Sequence, residues 1–437
     1  MATAKKDLVE KVSDEMDKSL AINPLLHVLQ ENDKKNLFST NVTTAFIKTG
    51  FPLIDHFFGS VVNIHDENGN IIRQEARIGQ AAGTFNLIIG NTGSGKSSLA
   101  IQIMGMMIRQ FKYANGILFD CENRTDTSRC ENLTKLPSRY FSSDGVSEFT
   151  IKSGAVSLEI IQEIIVKLYV RKMQLKNQLK VPIGYNDEFG KPVMILPPTV
   201  IVIDSITTVI NETFSPDSAK ESADAEKMRG NTDGARDAKT LKGFFKDVLP
   251  LCKEADITIY GINHINQNMS MNSFVPVAKQ QNFLKQDESI PGGKTMLYYP
   301  YNIIKLTAKP SDDFTEESDG FAGHVVMVEP VKSSSNQSGN NSKGISFEMI
   351  FSFKEGFDTL RSMIWYGKNY GFIEGNKNRM RFRDDDSFSF SWKNLTKEVK
   401  EKPIWESLRK YVYPHLNTHL SFMEIEDHQF DENILNY

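Results

Sequence analysis

Residues 90–97 read Gly-Asn-Thr-Gly-Ser-Gly-Lys-Ser, the G-x-x-x-x-G-K-[ST] spacing of a phosphate-binding loop. The apolar run Phe85-Asn86-Leu87-Ile88-Ile89 precedes it, and Ser98-Leu99-Ala100-Ile101-Gln102-Ile103-Met104 continues it with helical spacing. This order constrains the fold strongly. A buried strand has to feed a glycine turn whose backbone N–H groups face inward, with a helix N-terminus behind them. The expected cradle for a nucleoside triphosphate is Gly90, Asn91, Thr92, Gly93, Ser94, Gly95, Lys96, Ser97 and Ser98. Lys96 would meet the β/γ-phosphates and Ser97 would ligate Mg²⁺.

Around this motif, strands alternate with helical patterns from residue 85 to residue 309, which predicts a largely parallel α/β sheet. Strands are expected at Asn86–Gly90, Gly116–Asp120, Phe149–Lys152, Thr199–Asp204, Ile257–Asn263 and Asn302–Thr307. Helices are expected at Lys96–Phe111, Ser157–Gln178, Arg236–Glu254, Asp358–Tyr370 and Trp405–Tyr413. Val61–Glu75 reads as a hairpin turning at Glu67-Asn68-Gly69-Asn70, and residues 181–198 as a second, surface hairpin. The polar stretches Ser311–Gly320 and Ser333–Lys343 hold too few apolar side chains to offset their ordering entropy. Each should join neighbouring strands. Residues 5–36 form an amphipathic segment broken at Pro24.

The chain's 437 residues carry a net charge of −4, so any nucleic-acid site must be local rather than a bulk basic field. Cys121, Cys130 and Cys252 have neither metal-ligand spacing nor a disulfide pattern, which suits a reducing compartment. No apolar h-region opens the chain and no apolar run reaches membrane length. The expectation is a soluble, cytoplasmic protein without a membrane partner.

Thr199–Asp204 is an apolar strand ending in a carboxylate, the place from which Asp204 would hold Mg²⁺. Gly116–Asp120 ends in Asp120-Cys121-Glu122, and Glu122 there could polarise an attacking water, although the local pattern also fits a helix-capping acid. Ile259–Asn263 leads into His264, from which a side chain could sense a γ-phosphate. The next 27 residues, Ile265–Pro291, contain Phe274, Lys279, Phe283 and Lys285 and are closed by Gly292-Gly293. Aromatics interleaved with lysines suit stacking of bases while phosphates are neutralised. After the long polar stretch Asn211–Asp237, Arg236, Lys239, Lys242 and Lys246 recur at spacings of three and four, giving a basic helix face. Without the neighbouring motifs, that stripe reads equally well as a solvated helix surface.

Taken together these residues resemble the RecA recombinase family, specifically its phage-encoded UvsX-like branch, over residues 45–375. The similarity rests on Ile47-Lys48-Thr49-Gly50 with Leu53, Asp55 and Gly59, on Asp120-Cys121-Glu122, on Ile262-Asn263-His264, and on the Ala-Lys-Thr-x-Lys pattern within Arg236–Pro250. The resemblance implies a RecA-like ATPase core at 46–356, an N-terminal oligomerisation segment at 1–45, and a C-terminal region at 357–437 with an acidic tail. It implies that Glu122 is the catalytic base and that His264 couples ATP to a DNA loop. Asp126 and Arg129 would join the ATP site, with Arg129 standing where the family has an adenine-stacking tyrosine. Lys332 would reach a neighbouring subunit's ATP, Pro330 occupies the position of a second such lysine, and Tyr298 would lie at the subunit interface. Single- and double-stranded DNA would be contacted by residues 211–237 and 265–291 inside a helical homo-oligomeric filament. A single-strand-binding protein and a loader are the implied accessory partners, in a host-cell cytoplasm. Rival readings are a RecA-like motor such as a ring helicase, or a non-catalytic ATP-binding mediator.

Overall fold

Strands buried on both faces read as unbroken apolar runs, and such runs pair in parallel when helices cover both sides of the sheet. Here the runs at residues 85–90, 115–120, 199–204 and 257–264 lie side by side. The computed structural model describes residues 44–66, 70–141, 148–154, 156–209, 233–267, 283–285, 288–309, 321–335 and 345–420. The amphipathic segment 5–36, the turn at 67–69, most of 211–237 and 265–291, the polar residues 311–320 and 336–343 and the acidic tail beyond 420 lie outside these residues.

The first elements are β1 (Phe46–Ile47), α1 (Pro52–Phe57), β2 (Ser60–His65), β3 (Ile71–Arg77), β4 (Gln80–Ala81), β5 (Phe85–Gly90) and α2 (Lys96–Gln110). Next come β6 (Asn115–Asp120), α3 (Thr127–Thr134), β7 (Phe149–Ser153), α4 (Leu158–Gln174), β8 (Val181–Asn186), β9 (Pro192–Ile195) and β10 (Thr199–Asp204). Helix α5 (Asp233–Glu254) leads into β11 (Ile257–His264), β12 (Asn266–Gln267), β13 (Glu288–Ser289), α6 (Thr295–Tyr298) and β14 (Asn302–Lys309). The chain continues through β15 (Gly323–Ser333), β16 (Phe347–Ser352), β17 (Gly356–Asp358) and α7 (Thr359–Asn369). A small antiparallel sheet of β18 (Ile373–Asn376), β19 (Arg379–Phe382) and β20 (Asp385–Phe390) precedes α8 (Leu395–Glu401) and the helical stretch 404–416.

The main sheet has nine strands in the order β17-β16-β15-β14-β5-β11-β10-β6-β7. Its six strands from β14 to β7 run parallel and coincide with the six expected from the sequence, while β15, β16 and β17 extend it antiparallel. Residues 310–320 and 336–344 connect β14 to β15 and β15 to β16, strands that are direct neighbours. Both expected hairpins form, as β2–β3 and β8–β9. The second is held to the first by Arg77, whose Nη2 donates to the Asn186 carbonyl at 2.6 Å and whose guanidinium lies 4.3 Å over the Tyr185 ring.

One face of the sheet is covered by α5 and α4, with Phe245 stacked between Phe85 and Tyr299 at 4.4 and 5.5 Å. The other face carries α2 together with the C-terminal helices. The boundary expected at 356/357 falls inside β17, and from Ala45 onward the chain forms one compact unit. Gln102, buried on α2, explains the attachment. Its Oε1 accepts from the Phe357 N–H at 2.8 Å while Nε2 donates to the Phe357 carbonyl at 3.0 Å. Ser362 Oγ on α7 likewise accepts from the Ile350 N–H of β16 at 2.9 Å. Among the described residues no helix is long and apolar enough to cross a membrane, and the three cysteines are free.

At the start of the core, Asp55 is buried, and its Oδ1 accepts from both the N–H and the hydroxyl of Thr49 at 2.7 Å. Burial pushes the Asp55 carboxyl up to about 7, with the Thr49 hydrogen bonds and Lys48 opposing. The fold therefore favours the protonated acid. Its contribution to stability is whole below the ordinary value of 3.8 and is lost as pH rises through 7. Asp55→Asn keeps an oxygen for Thr49 without a charge to bury, so it should gain stability over the natural chain at about pH 8 but not at about pH 4. Urea midpoints at both values check this, and an equal difference at the two would remove Asp55 as the source.

Candidate functional site

Parallel pairing sets the carboxyl ends of the central strands in line. His264 stands opposite Gly90, and Asp204 opposite Asp120. The loops leaving these ends enclose a cavity of about 610 Å³, lined by Thr92, Gly93, Gly95, Lys96, Ser97 and Ser98, by Glu122, Arg124, Thr125, Asp126 and Arg129, and by Asp204, His264, Phe351 and Phe353. A crevice beyond the carboxyl ends of parallel strands is where open α/β sheets bind ligands.

The loop's glycines follow from geometry. Gly95, in the left-handed region at φ +86°, caps α2, and a Cβ there would meet the Phe351 and Phe357 rings at 3.0 Å. Gly93, at φ +79°, has nothing within 4 Å of an added Cβ, so its backbone is open to a ligand. Lys96 is buried, and its Nζ donates to the Asn91 carbonyl at 2.9 Å. Ser97 lies beside Asp204, and its hydroxyl lowers the pKa of that carboxylate. Burial holds Asp204 above the usual carboxylate range, against the opposing effects of Ser97 and Lys96. Two buried oxygens here, Ser94 Oγ and Asp120 Oδ1, have no hydrogen-bond partner among the described residues.

These observations fit a triphosphate with Mg²⁺. The cradle is open where phosphates need backbone N–H groups, and Ser97 and Asp204 bring two hard oxygen donors together. Mg²⁺ commonly takes only one or two protein oxygens, leaving the rest of its shell to phosphates and water. Among the described residues no group of three or more His, Cys, Asp or Glu is arranged to hold a metal.

Glu122 Oε1 lies 3.2 Å from His264 Nε2 and its Oε2 lies 3.0 Å from Arg124 Nη1. Beneath it, Asp120 Oδ2 accepts from the Thr125 N–H at 2.7 Å and fixes the turn that carries Glu122. Asp126 lines the cavity but also caps α3, accepting from the Arg129 N–H at 2.7 Å. Arg129 donates from Nη2 to Ser98 Oγ at 3.1 Å and from Nη1 to the Phe353 and Lys354 carbonyls at 3.1 and 3.2 Å. It thus ties the β16–β17 turn to α2.

The remaining sequence candidates lie outside this cavity. Lys332 Nζ donates to the carbonyls of Leu297, Tyr298 and Pro300 at 3.2, 3.0 and 2.6 Å, and burial lowers its pKa. Tyr298 is 72% exposed. Gly292 and Gly293 both adopt positive φ. Lys239 and Lys242 point to solvent from α5, and Lys285 is exposed. Phe283, expected as a base-stacking residue, is only half-exposed and packs against the core, while its carbonyl accepts from Lys305 Nζ at 2.9 Å. The Arg236 side chain, Phe274 and Lys279 lie outside the described residues. Sequence reasoning missed Arg124, Thr125, Phe351 and Phe353. For Arg124 the available signal was a cation two residues beyond Glu122. For the phenylalanines there was none, because they arrive from the far end of the chain.

No protein-family model matches the chain, and no curated protein matches it in sequence.

Burial pushes the Lys96 ammonium down to about 8, with Asp204 and Glu122 opposing. Above that pH the lysine is neutral in the ligand-free protein and must take up a proton to meet a phosphate. Affinity for a non-hydrolysable triphosphate should therefore fall about tenfold for each pH unit above about 8. Fluorescence titration across that range tests it, with Lys96→Ala expected to bind weakly and without this dependence. A flat affinity in the natural chain would contradict the assignment.

Proposed function

We propose that this chain is an ATP-dependent DNA recombinase of RecA type, forming filaments on single-stranded DNA and catalysing homologous pairing and strand exchange. The observation that carries the reading is the Glu122–His264 contact inside the phosphate-loop cavity. It joins a carboxylate suited to activate water with the last residue of β11, from which the segment 265–291 departs.

In this reading the phosphate loop and Lys96 hold the phosphates, and Mg²⁺ on Ser97 and Asp204 supplies charge neutralisation when bound. Glu122 accepts a proton from water as the water oxygen bonds to the γ-phosphorus and the bond to the bridging oxygen breaks. Little covalent work is left to the protein, so positioning and charge carry the rate. His264 withdraws from or closes on Glu122 according to what occupies the cavity, and so carries the state of the site to the end of β11. Lys239 and Lys242, solvent-facing on α5, supply phosphate contacts to DNA.

Glu122→Gln should retain ATP and single-stranded DNA binding while turnover falls by about 10²–10⁴-fold, the usual weight of general-base catalysis. Electron microscopy with single-stranded DNA and a non-hydrolysable ATP analogue should show helical filaments. Rings or monomers would favour the motor or mediator readings, and unchanged turnover in Glu122→Gln would remove it as the base.

The DNA site makes a separate prediction. Replacing Lys239 and Lys242 together by alanine should reduce the slope of log affinity against log salt by about 1.4, two single-strand phosphate contacts. A slope equal to the natural chain's would return the stripe to a solvated helix face.

A further inference from the structure

The cations that line the cavity differ in how firmly they are held. Lys96 is buried and tied to the Asn91 carbonyl. Arg129 is pinned by one hydroxyl and two carbonyls. Arg124 stands apart: its side chain is 72% exposed, and its ion pair is with Glu122, Nη1 to Oε2 at 3.0 Å. A pair whose cation is this exposed contributes little, and the cation is easily exchanged to a stronger partner. The carboxylates lining the cavity, Glu122, Asp126 and Asp204, balance its three cations before any phosphate arrives. A triphosphate therefore adds net negative charge, even with Mg²⁺ bound, to a site with no excess of positive charge. Lys332, the other cation singled out by the sequence, is held by three carbonyls of its own chain and does not line the cavity.

From this we infer that Arg124 is a catalytic cation supplied in cis: paired with Glu122 while the cavity lacks nucleotide, it transfers to the γ-phosphate and stabilises charge there during hydrolysis. The inference rests on the ATPase reading above. The exchange does two things at once. It brings a guanidinium, with its planar fork of donors, to phosphate oxygens. It also frees Glu122 Oε2 to accept the proton of the attacking water. No bond is made or broken at Arg124, which contributes charge alone.

The test uses the full chain with saturating single-stranded DNA and compares Arg124→Ala and Arg124→Lys with the natural protein. Expected for Arg124→Ala is a fall in kcat of about 10²-fold or more, as for removal of one transition-state donor. Affinity for a non-hydrolysable ATP analogue should stay within about threefold, while affinity for ADP with aluminium fluoride falls in step with kcat. Retained analogue binding also shows that the variant is folded. Arg124→Lys should recover part of the loss, because charge is restored without the fork. An unchanged or raised kcat in Arg124→Ala would overturn the inference and leave Arg124 as a surface partner of Glu122. So would a loss confined to ground-state analogue binding. If the natural chain itself neither binds the analogue nor hydrolyses ATP, the ATPase reading fails first and takes this inference with it.

Discussion

The parallel register of β6, β10, β11 and β5 is the constraint on which the rest depends. Backbone ladders pair Asp120 with Asp204, Ile203 with Gly261, and Gly90 with His264, so four chain segments end at one edge of the sheet. Side chains alternate across a strand, and a slip of one residue in β11 would send His264 to the opposite face. Burial on both sides prevents the slip. Every residue of β5 and of β10 is buried, and their neighbours belong to two separate apolar cores. Register is thus fixed by apolar packing far from the charged edge, and the edge inherits it.

That edge carries a desolvation cost. Lys96 is pushed toward neutrality by burial while Asp204 is pushed toward protonation, and each opposes the shift of the other. Asp120 keeps one buried oxygen without a partner among the described residues. Charges assembled this way do not repay their desolvation by pairing alone. A polar, charged ligand would offset this cost, and the apolar cores beneath the site supply the stability that allows the arrangement to persist.

Much of this was legible in the sequence because it is local. An unbroken apolar run followed by glycines and a lysine, or by a single aspartate, states both the strand and the polar group at its end. Lys96, Ser97, Glu122, Asp204 and His264 do meet in one cavity. Non-local contacts were illegible for the same reason. Phe351, on β16, and Phe353, in the turn after it, reach the loop from beyond polar stretches, and nothing near residue 95 announces them. Gln102 reads as an ordinary helix residue, yet it grips the backbone of Phe357 and binds the C-terminal region into the core. Phe283 looks like a stacking aromatic by composition, but the core beside Leu284 and Ile290 claims it. Even the three-stranded sheet at 373–390 escaped notice, since its strands are short and flanked by charges.

The end of β11 carries one more consequence of the register. Asn263 is fully buried, donates from Nδ2 to the Pro291 carbonyl at 2.9 Å, and accepts from the His264 N–H through Oδ1 at 2.8 Å. The next residue, His264, holds Glu122. Two consecutive side chains therefore attach the same strand end to the cavity and to Pro291, at the far end of the 265–291 segment. The paired neck of β12 and β13, two residues each, keeps both ends of that segment together. Rotation of the His264 ring releases Glu122 without disturbing these backbone contacts, whereas a shift of the His264 backbone would break its hydrogen bond to Asn263. Because Asn263 has no solvent to replace its partners, moving it means shifting Pro291 as well. Cavity and loop end are linked by a short chain of contacts, Glu122 to His264 and Asn263 to both His264 and Pro291, in which Asn263 is the fully buried member.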